Sequence, residues 1–386
     1  MNVEQLLFAI LGHTVCGQPL KEDIRNDLTP ESISYLYVLS QGHDLAHIVG
    51  HTLNKLGVLG EDETSQKFKK VPMQAVYRYV QLEHEYESIC KALEEAKIPF
   101  LPMKGAILRG YYPEPWMRTS CDIDVLVKAE DVKVAIDCLK SKLQYLFKEQ
   151  YLCEYSMYSP SGVHIEIHSD AEFTESKRPM GRVMANVWNV VFPAEGAAYK
   201  MEMPYPLFYY YHIMHMAKHF SAGGCGIRPF LDIWILTRRE EFCREECEEL
   251  LAKGELTAFA TQAEKLSEAW FAQGEKDALT KQMGHYILDA GVYGNLENNI
   301  AIRHSKKGGK IRYILSRLFL PLERLKLQYP IVGRHKWLLP IFQVVRWVRL
   351  FSWPRVKRTV KEIKRNLNIS QDKITEMAEL MEQFGL

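Results

Sequence analysis

The chain has no C-x-x-C pair, no uncharged apolar run of 18 residues, no internal repeat and no low-complexity tract. Its eight cysteines are scattered, and Cys243 and Cys247, at i and i+4 in an acidic stretch, have no partner ligands nearby. That pattern excludes a disulfide framework and a zinc ribbon, and reads as free thiols in a reducing compartment. Without a long apolar run no spanning helix is expected. The opening MNVEQLLFAILGH lacks a basic start followed by a long apolar core, so it reads as a first helix and not as a secretion signal. The expected location is cytoplasmic.

Strong net charge is also lacking, at +1, but the two signs are segregated. Between Arg303 and Arg365 there are 18 Lys and Arg against Glu323 and Glu362 alone, so this segment carries +16 and the remainder −15. A basic tail of this kind meets an anionic surface: its own acidic body, a membrane or a nucleic acid.

At 386 residues the chain is long enough for two or three domains. Residues 1–71 read as short helices, one of them entered through Thr29-Pro30. A longer helix is expected from about Met73 to Ala96, where Val76, Val80, Leu82, Tyr86, Ile89 and Leu93 follow a 3.6 period. A core at 72–200 then alternates short strands (Ile98–Leu101, Asp122–Val127, Tyr151–Tyr158, Val163–His168) with helices at Ala106–Tyr112 and Ala129–Ser141. The pattern is helical through 201–300 and ends in a basic amphipathic helical tail at 301–386. The fold class expected is α+β, a small mixed sheet with helices, flanked by helical regions at both ends.

The chemistry concentrates in PMKGAILRGYYPEPWMRTSCDIDVLV, residues 102–127. Alternation along a strand points Asp122 and Asp124 the same way, and Ile123 and Val125 the other. Two carboxylates on one face beside an apolar run are costly without compensation. Mg²⁺, held by carboxylates and nucleotide phosphates, is a common solution. In Val163–His168 the same alternation gathers His164, Glu166 and His168 on one face.

The Lys-Gly turn that opens a helix, followed by R-x-x-x-D-I-D-V-L-V on the next strand, resembles the nucleotidyltransferase superfamily. The spelling is most similar to the uncharacterised nucleotidyltransferase family of bacteria. The resemblance spans roughly Phe100 to Leu236. It implies Mg²⁺-dependent transfer of a nucleoside monophosphate from an NTP to a hydroxyl acceptor, with release of pyrophosphate. It implies Asp122 and Asp124 as metal ligands and a third carboxylate on a neighbouring strand. Glu166 is the candidate, as metal ligand or as general base; Asp170 is the alternative. His168 would orient Glu166 or touch the nucleotide. Lys104-Gly105 stands where most of the superfamily has Gly-Gly or Gly-Ser: the Gly105 backbone can approach a phosphate, and Lys104 adds a mobile cation. Arg118 is a second phosphate candidate, or else the partner of one of the two aspartates.

Downstream, His212, His215 and His219 share a helical face, and a Gly-rich loop leads to Arg228 and Asp232. His215 or His219 is assigned a place near nucleotide or acceptor. Arg228 is expected to pair with Asp232 one turn on, or to bind phosphate. In the tail, residues 329–360 mix Trp and Tyr with Arg and aliphatics, which suits a peripheral helix at the inner face of a membrane. Stacking on nucleic acid is the alternative. Two further functions stay open: a nucleotide-binding scaffold without catalysis, and an enzyme that modifies nucleic acid. The acceptor, small molecule or protein, is open as well.

Overall fold

Five helices precede the first strand: α1 (Val3–Cys16), α2 (Ile24–Asp27), α3 (Pro30–Gly42), α4 (Ala46–Leu56) and α5 (Glu63–Glu95). Asn2 caps α1 through a reciprocal capping box, and Thr29 caps α3 by accepting from the Ser32 amide at 3.2 Å. The computed structural model describes residues 1–151, 153–170, 179–272, 274–292, 294–306, 319–322, 325–326, 329–350 and 369–386. The chain divides into two units, one of Met1–Lys218 with Cys225–Val292, the other of His219–Gly224 with Tyr293–Leu386.

In the first unit, β1 (Phe100–Pro102), α6 (Gly105–Leu108), β2 (Asp122–Val127), α7 (Val132–Leu143), β3 (Leu146–Tyr151), β4 (Glu154–Tyr158) and β5 (His164–His168) follow in order. The five strands form one sheet in the order β1-β2-β5-β4-β3, with β2 and β5 parallel and the other pairings antiparallel. One sheet face presents Ile123, Val125, Val127, Val163, Ile165 and Ile167 to Leu82, Ile89 and Leu93 of α5 and to Ala135 and Leu139 of α7. Burying those aliphatics fixes the register, because a slip of one residue would turn the acids of β2 into the core. A two-stranded hairpin, β6 (Phe192–Pro193) with β7 (Met201–Glu202), follows α8 (Pro179–Met184). The Glu94 carboxylate holds this hairpin's turn, accepting from the amides of Ala198, Tyr199 and Lys200 at 2.6–3.0 Å.

Helices α9 (Tyr205–Phe220), α10 (Arg228–Leu236), α11 (Arg244–Lys253), α12 (Thr257–Phe271) and α13 (Ala278–Ala290) come next. In the second unit α14 (Leu296–Lys306) lies against α17 (Gln371–Gln383), which buries Ile374, Met377, Leu380 and Met381, and Phe220 meets Phe384 edge-on at 5.3 Å. Between them are α15 (Pro330–Arg334) and α16 (Leu339–Leu350). No helix of the described residues is long and apolar enough to cross a membrane. Residues 351–360 of the basic tail segment lie outside the described residues.

The small mixed sheet flanked by helices agrees with the α+β expectation, but two elements differ. Helix α5 starts at Glu63 and runs through Pro72, where the sequence reading begins it near Met73. Asp62 supplies a strong N-cap upstream, accepting from the Thr64 and Ser65 amides. Pro72 has no N–H to give the Phe68 carbonyl four residues back. At that carbonyl α4 approaches so closely that a Cβ on Gly50 would sit 2.5 Å from its oxygen. The second difference is β3. Residues 151–158 were expected as one strand; instead β3 and β4 form a hairpin beginning at Leu146. As an edge strand, β3 leaves Leu146 and Phe147 largely exposed, and its Lys-Glu-Gln centre carries no apolar alternation to reveal it.

Candidate active site

The turn between β1 and α6 delivers the first functional side chain. Lys104 sits at φ +49°, ψ −117°, a conformation that glycine takes freely and a residue with a Cβ holds only under strain, of about 1–3 kcal/mol. Its Nζ reaches Asp124 Oδ1 at 3.3 Å. Gly105 is hemmed in: a Cβ there would lie 3.2 Å from Cβ of Ser120. Arg109 ties the two sides together, with Nε donating to the Gly105 carbonyl at 2.9 Å and Nη2 to Ser120 Oγ at 3.0 Å. The Lys-Gly turn is therefore clamped directly to the segment that enters β2.

The parallel pairing of β2 with β5 sets Asp122 beside His164, Asp124 beside Glu166 and Leu126 beside His168. Because paired residues of adjacent strands share a face, the polar face of β2 merges with the polar face of β5. Potential ligand atoms of Asp122, His164 and Glu166 lie within 4.8 Å of one another, as do those of Asp124, Glu166 and His168. His168 is buried and its Nε2 is 2.8 Å from Asp124 Oδ1. A carboxylate oxygen only accepts, so this nitrogen carries the proton. His164 Nε2 is 2.6 Å from Ser156 Oγ on β4.

Three carboxylates crowd this face, and two of them, Asp122 and Glu166, hold protons more tightly than usual. Burial, followed by the charge of Asp124, pushes the Asp122 carboxyl above its ordinary range. Burial, with Asp124 and Asp122, pushes Glu166 up to about 7. Lys104 and His168 already lie against Asp124. A divalent cation that prefers oxygen ligands also fits the cluster: carboxylate oxygens come from Asp122, Asp124 and Glu166, with His168 orienting one of them.

The other sequence-derived candidates lie elsewhere. Arg118 does not face Asp122 or Asp124. Its Nε and Nη2 donate to the two oxygens of Asp232 at 2.8 and 2.9 Å, and Tyr112 Oη donates to the same carboxylate at 2.7 Å, all three residues being largely or fully buried. The Arg228–Asp232 pair is therefore not formed. Arg228 Nη1 instead donates to Asp44 Oδ2 and to Thr119 Oγ1, both at 2.8 Å. His215 is half-buried on α9, with its ring 6.3 Å from that of Tyr211, and belongs to neither ligand group, nor does Asp170. His212 is buried with Nε2 at 3.1 Å from the Pro229 carbonyl, and burial lowers its pKa.

Several contributors escaped the sequence. Ser156 and Glu154 pair with Glu166 and His168 across the β4–β5 hairpin. Counting back from the Pro160-Ser161-Gly162 turn could have set this register. Asp44 and Thr119 gave no signal, being far apart in sequence and unremarkable in type. Beside the entry to β2 opens a cavity of about 450 Å³, lined by Tyr37, Gln41, Asp44, Gln74, Arg78 and Cys121 among others.

No curated protein and no solved structure matches the chain. Residues 29–272, which take in the whole sheet, the Lys-Gly turn and the carboxylate face, match the profile of the family described as uncharacterised nucleotidyltransferase, and the chain belongs to that family.

Proposed function

We propose that the protein transfers a nucleoside monophosphate from an NTP to a hydroxyl-bearing acceptor and releases pyrophosphate. The observation that carries this reading is the merged carboxylate face of β2 and β5, where a ligand atom of Asp122 and one of Asp124 each lie within 4.8 Å of one on Glu166. Asp122, Asp124 and Glu166 would hold Mg²⁺, which when bound neutralises charge developing on phosphate oxygens.

The acceptor oxygen attacks the α-phosphorus of the NTP. The bond from that phosphorus to the bridging oxygen of the β-phosphate breaks, and its electron pair leaves with pyrophosphate. The acceptor's proton goes to a carboxylate oxygen on this face. Glu166 on the neighbouring strand can take it through an oxygen that does not hold the cation. Lys104, 3.3 Å from Asp124 Oδ1, can swing its ammonium onto the triphosphate once a cation takes over the aspartates. The Gly105 backbone, next to Lys104 in the same turn, would meet the same phosphates. His168 keeps Asp124 in one rotamer.

The test uses the full chain with each NTP labelled at the α-phosphate, Mg²⁺, and a pool of hydroxylated small molecules and peptides. Label transfer and pyrophosphate release in the wild type, absent from Asp122→Asn with Asp124→Asn, support the reading. If Mg²⁺-dependent NTP binding occurs with no pyrophosphate release from any acceptor, the protein is a nucleotide-binding scaffold and the transferase reading falls.

A further inference from the structure

The second unit carries an apolar stripe that nothing in the proposed reaction uses. On α16, Ile341, Val344, Val345 and Val348 are 50%, 52%, 42% and 69% exposed. Their spacing, i, i+3, i+4 and i+7, places them on one side of the helix. The opposite side is docked. Gln343 is buried and its Nε2 donates to the Leu320 carbonyl at 2.6 Å, Phe342 packs on Tyr329 with ring centroids 4.8 Å apart, and Trp347 meets Phe319 at 5.3 Å. The helix is thus held by its aromatic face and leaves its aliphatic face outward. Just before it, Trp337 is 71% exposed, beside the exposed Arg334, His335 and Lys336.

A continuous exposed aliphatic stripe marks an interaction site, and charge decides what covers it. The surrounding sequence from Arg303 to Arg365 holds 18 cationic residues against two acidic ones. A second copy would bring an equally basic segment against the first and be repelled. A nucleic acid would answer the charge but would leave the aliphatics in water, since bases stack on rings; the rings of Phe342 and Trp347 are engaged internally, which leaves Trp337 as the exposed indole among the described residues 329–350. An anionic lipid surface answers both. The acyl boundary takes Ile341, Val344, Val345 and Val348, a Trp suits the headgroup level, and anionic headgroups attract Lys and Arg. The described residues of helix α16 number 12, about 18 Å at 1.5 Å per residue, a stretch too short to span a bilayer that would lie in its plane.

We infer that the exposed face of α16, with Trp337 and its basic neighbours, docks the protein peripherally on an anionic membrane surface.

The experiment is cosedimentation of the full chain with phosphatidylcholine vesicles, with and without about a third phosphatidylglycerol. Wild type is compared with Val344→Glu plus Val348→Glu, two exposed positions where the change leaves the docked face intact. Equal thermal midpoints of the two proteins confirm that both are folded. The expected result is binding to the anionic vesicles, at least about tenfold weaker binding to neutral ones, and a loss of about tenfold or more in the double variant. Equal binding of wild type and variant overturns the inference, as does no binding to either vesicle. A protein that ignores vesicles and binds a generic single-stranded RNA equally well with or without the two substitutions assigns the tail to nucleic acid. A dimer that the substitutions convert to monomer, with no vesicle binding, assigns the stripe to a second copy.

Discussion

Two buried aspartates in the same unit meet opposite fates. Asp232 has both oxygens occupied, by Arg118 through two N–H groups and by the Tyr112 hydroxyl. Although burial alone would raise its pKa, the adjacent guanidinium holds the carboxyl below its ordinary range. Asp124 is nearly as buried and also has cationic neighbours, Lys104 and His168. Yet it shares its face with Asp122 and Glu166, and those two are pushed towards protonation. One aspartate is satisfied and holds helix α10 to the loop before β2; the other sits in a cluster whose ligand atoms are spaced to take a metal ion. A buried carboxylate therefore marks a candidate site by the acids that crowd it and not by its burial alone.

Replacing Asp122 and Asp124 together by Asn gives the sharpest contrast. Transfer activity should fall by about a thousandfold or more, equivalent to about 4 kcal/mol of transition-state stabilisation, while the thermal midpoint stays level or rises because like charges are removed. Calorimetry and a pyrophosphate assay on the same sample read both. Arg118→Ala should do the reverse, because it strands the Asp232 charge in the interior: a stability loss of about 3–5 kcal/mol by denaturant unfolding. Arg118→Lys, which keeps the charge but loses the two-pronged geometry, should recover part of that loss.

Acidity gives the next contrast. Glu166 binds a proton more tightly in the folded protein, near 7, than at its ordinary 4.5. In the metal-free protein its contribution to stability is therefore complete below about 4.5 and lost as pH rises through 7. Asp232, whose pKa is lowered, contributes above its ordinary 3.8 and loses that contribution as pH falls. Mg²⁺ affinity should accordingly drop by about tenfold per pH unit below 7, as the cation competes with one proton. Titration calorimetry at several pH values would show this slope; a flat profile would remove Glu166 from the ligand set.

The smallest effect concerns Lys104. Lys104→Gly should relieve the strained backbone and change stability by no more than about 1 kcal/mol in either direction, since glycine also gains freedom in the unfolded chain. Its NTP affinity should fall by about tenfold. Lys104→Ala, which keeps the strain but not the charge, should lose both stability and affinity.

Much of the site was legible in the sequence because strand alternation is a local rule. Asp122-Ile123-Asp124 and His164-Ile165-Glu166-Ile167-His168 sort their acids and aliphatics without reference to the rest of the fold, and the sheet keeps that sorting. Pairings across long stretches of chain were not legible. Arg118 and Asp232 are 114 residues apart and Arg228 and Asp44 are 184 apart. Any of several acids could have met either arginine, and only the packed fold chooses. The strain at Lys104 was hidden for another reason: lysine gives no hint of positive φ, whereas the glycine found there in most of the superfamily would have done so.

The most direct measurement is NTP binding by titration calorimetry, each of the four nucleotides with and without Mg²⁺, in the wild type and in Asp122→Asn with Asp124→Asn. Binding of one or more NTPs that requires Mg²⁺ and collapses in the double variant is the result expected of a carboxylate face built for a metal–triphosphate complex. Absence of binding, or equal binding by the variant, would contradict that assignment and leave Asp122, Asp124 and Glu166 as a polar face without a metal.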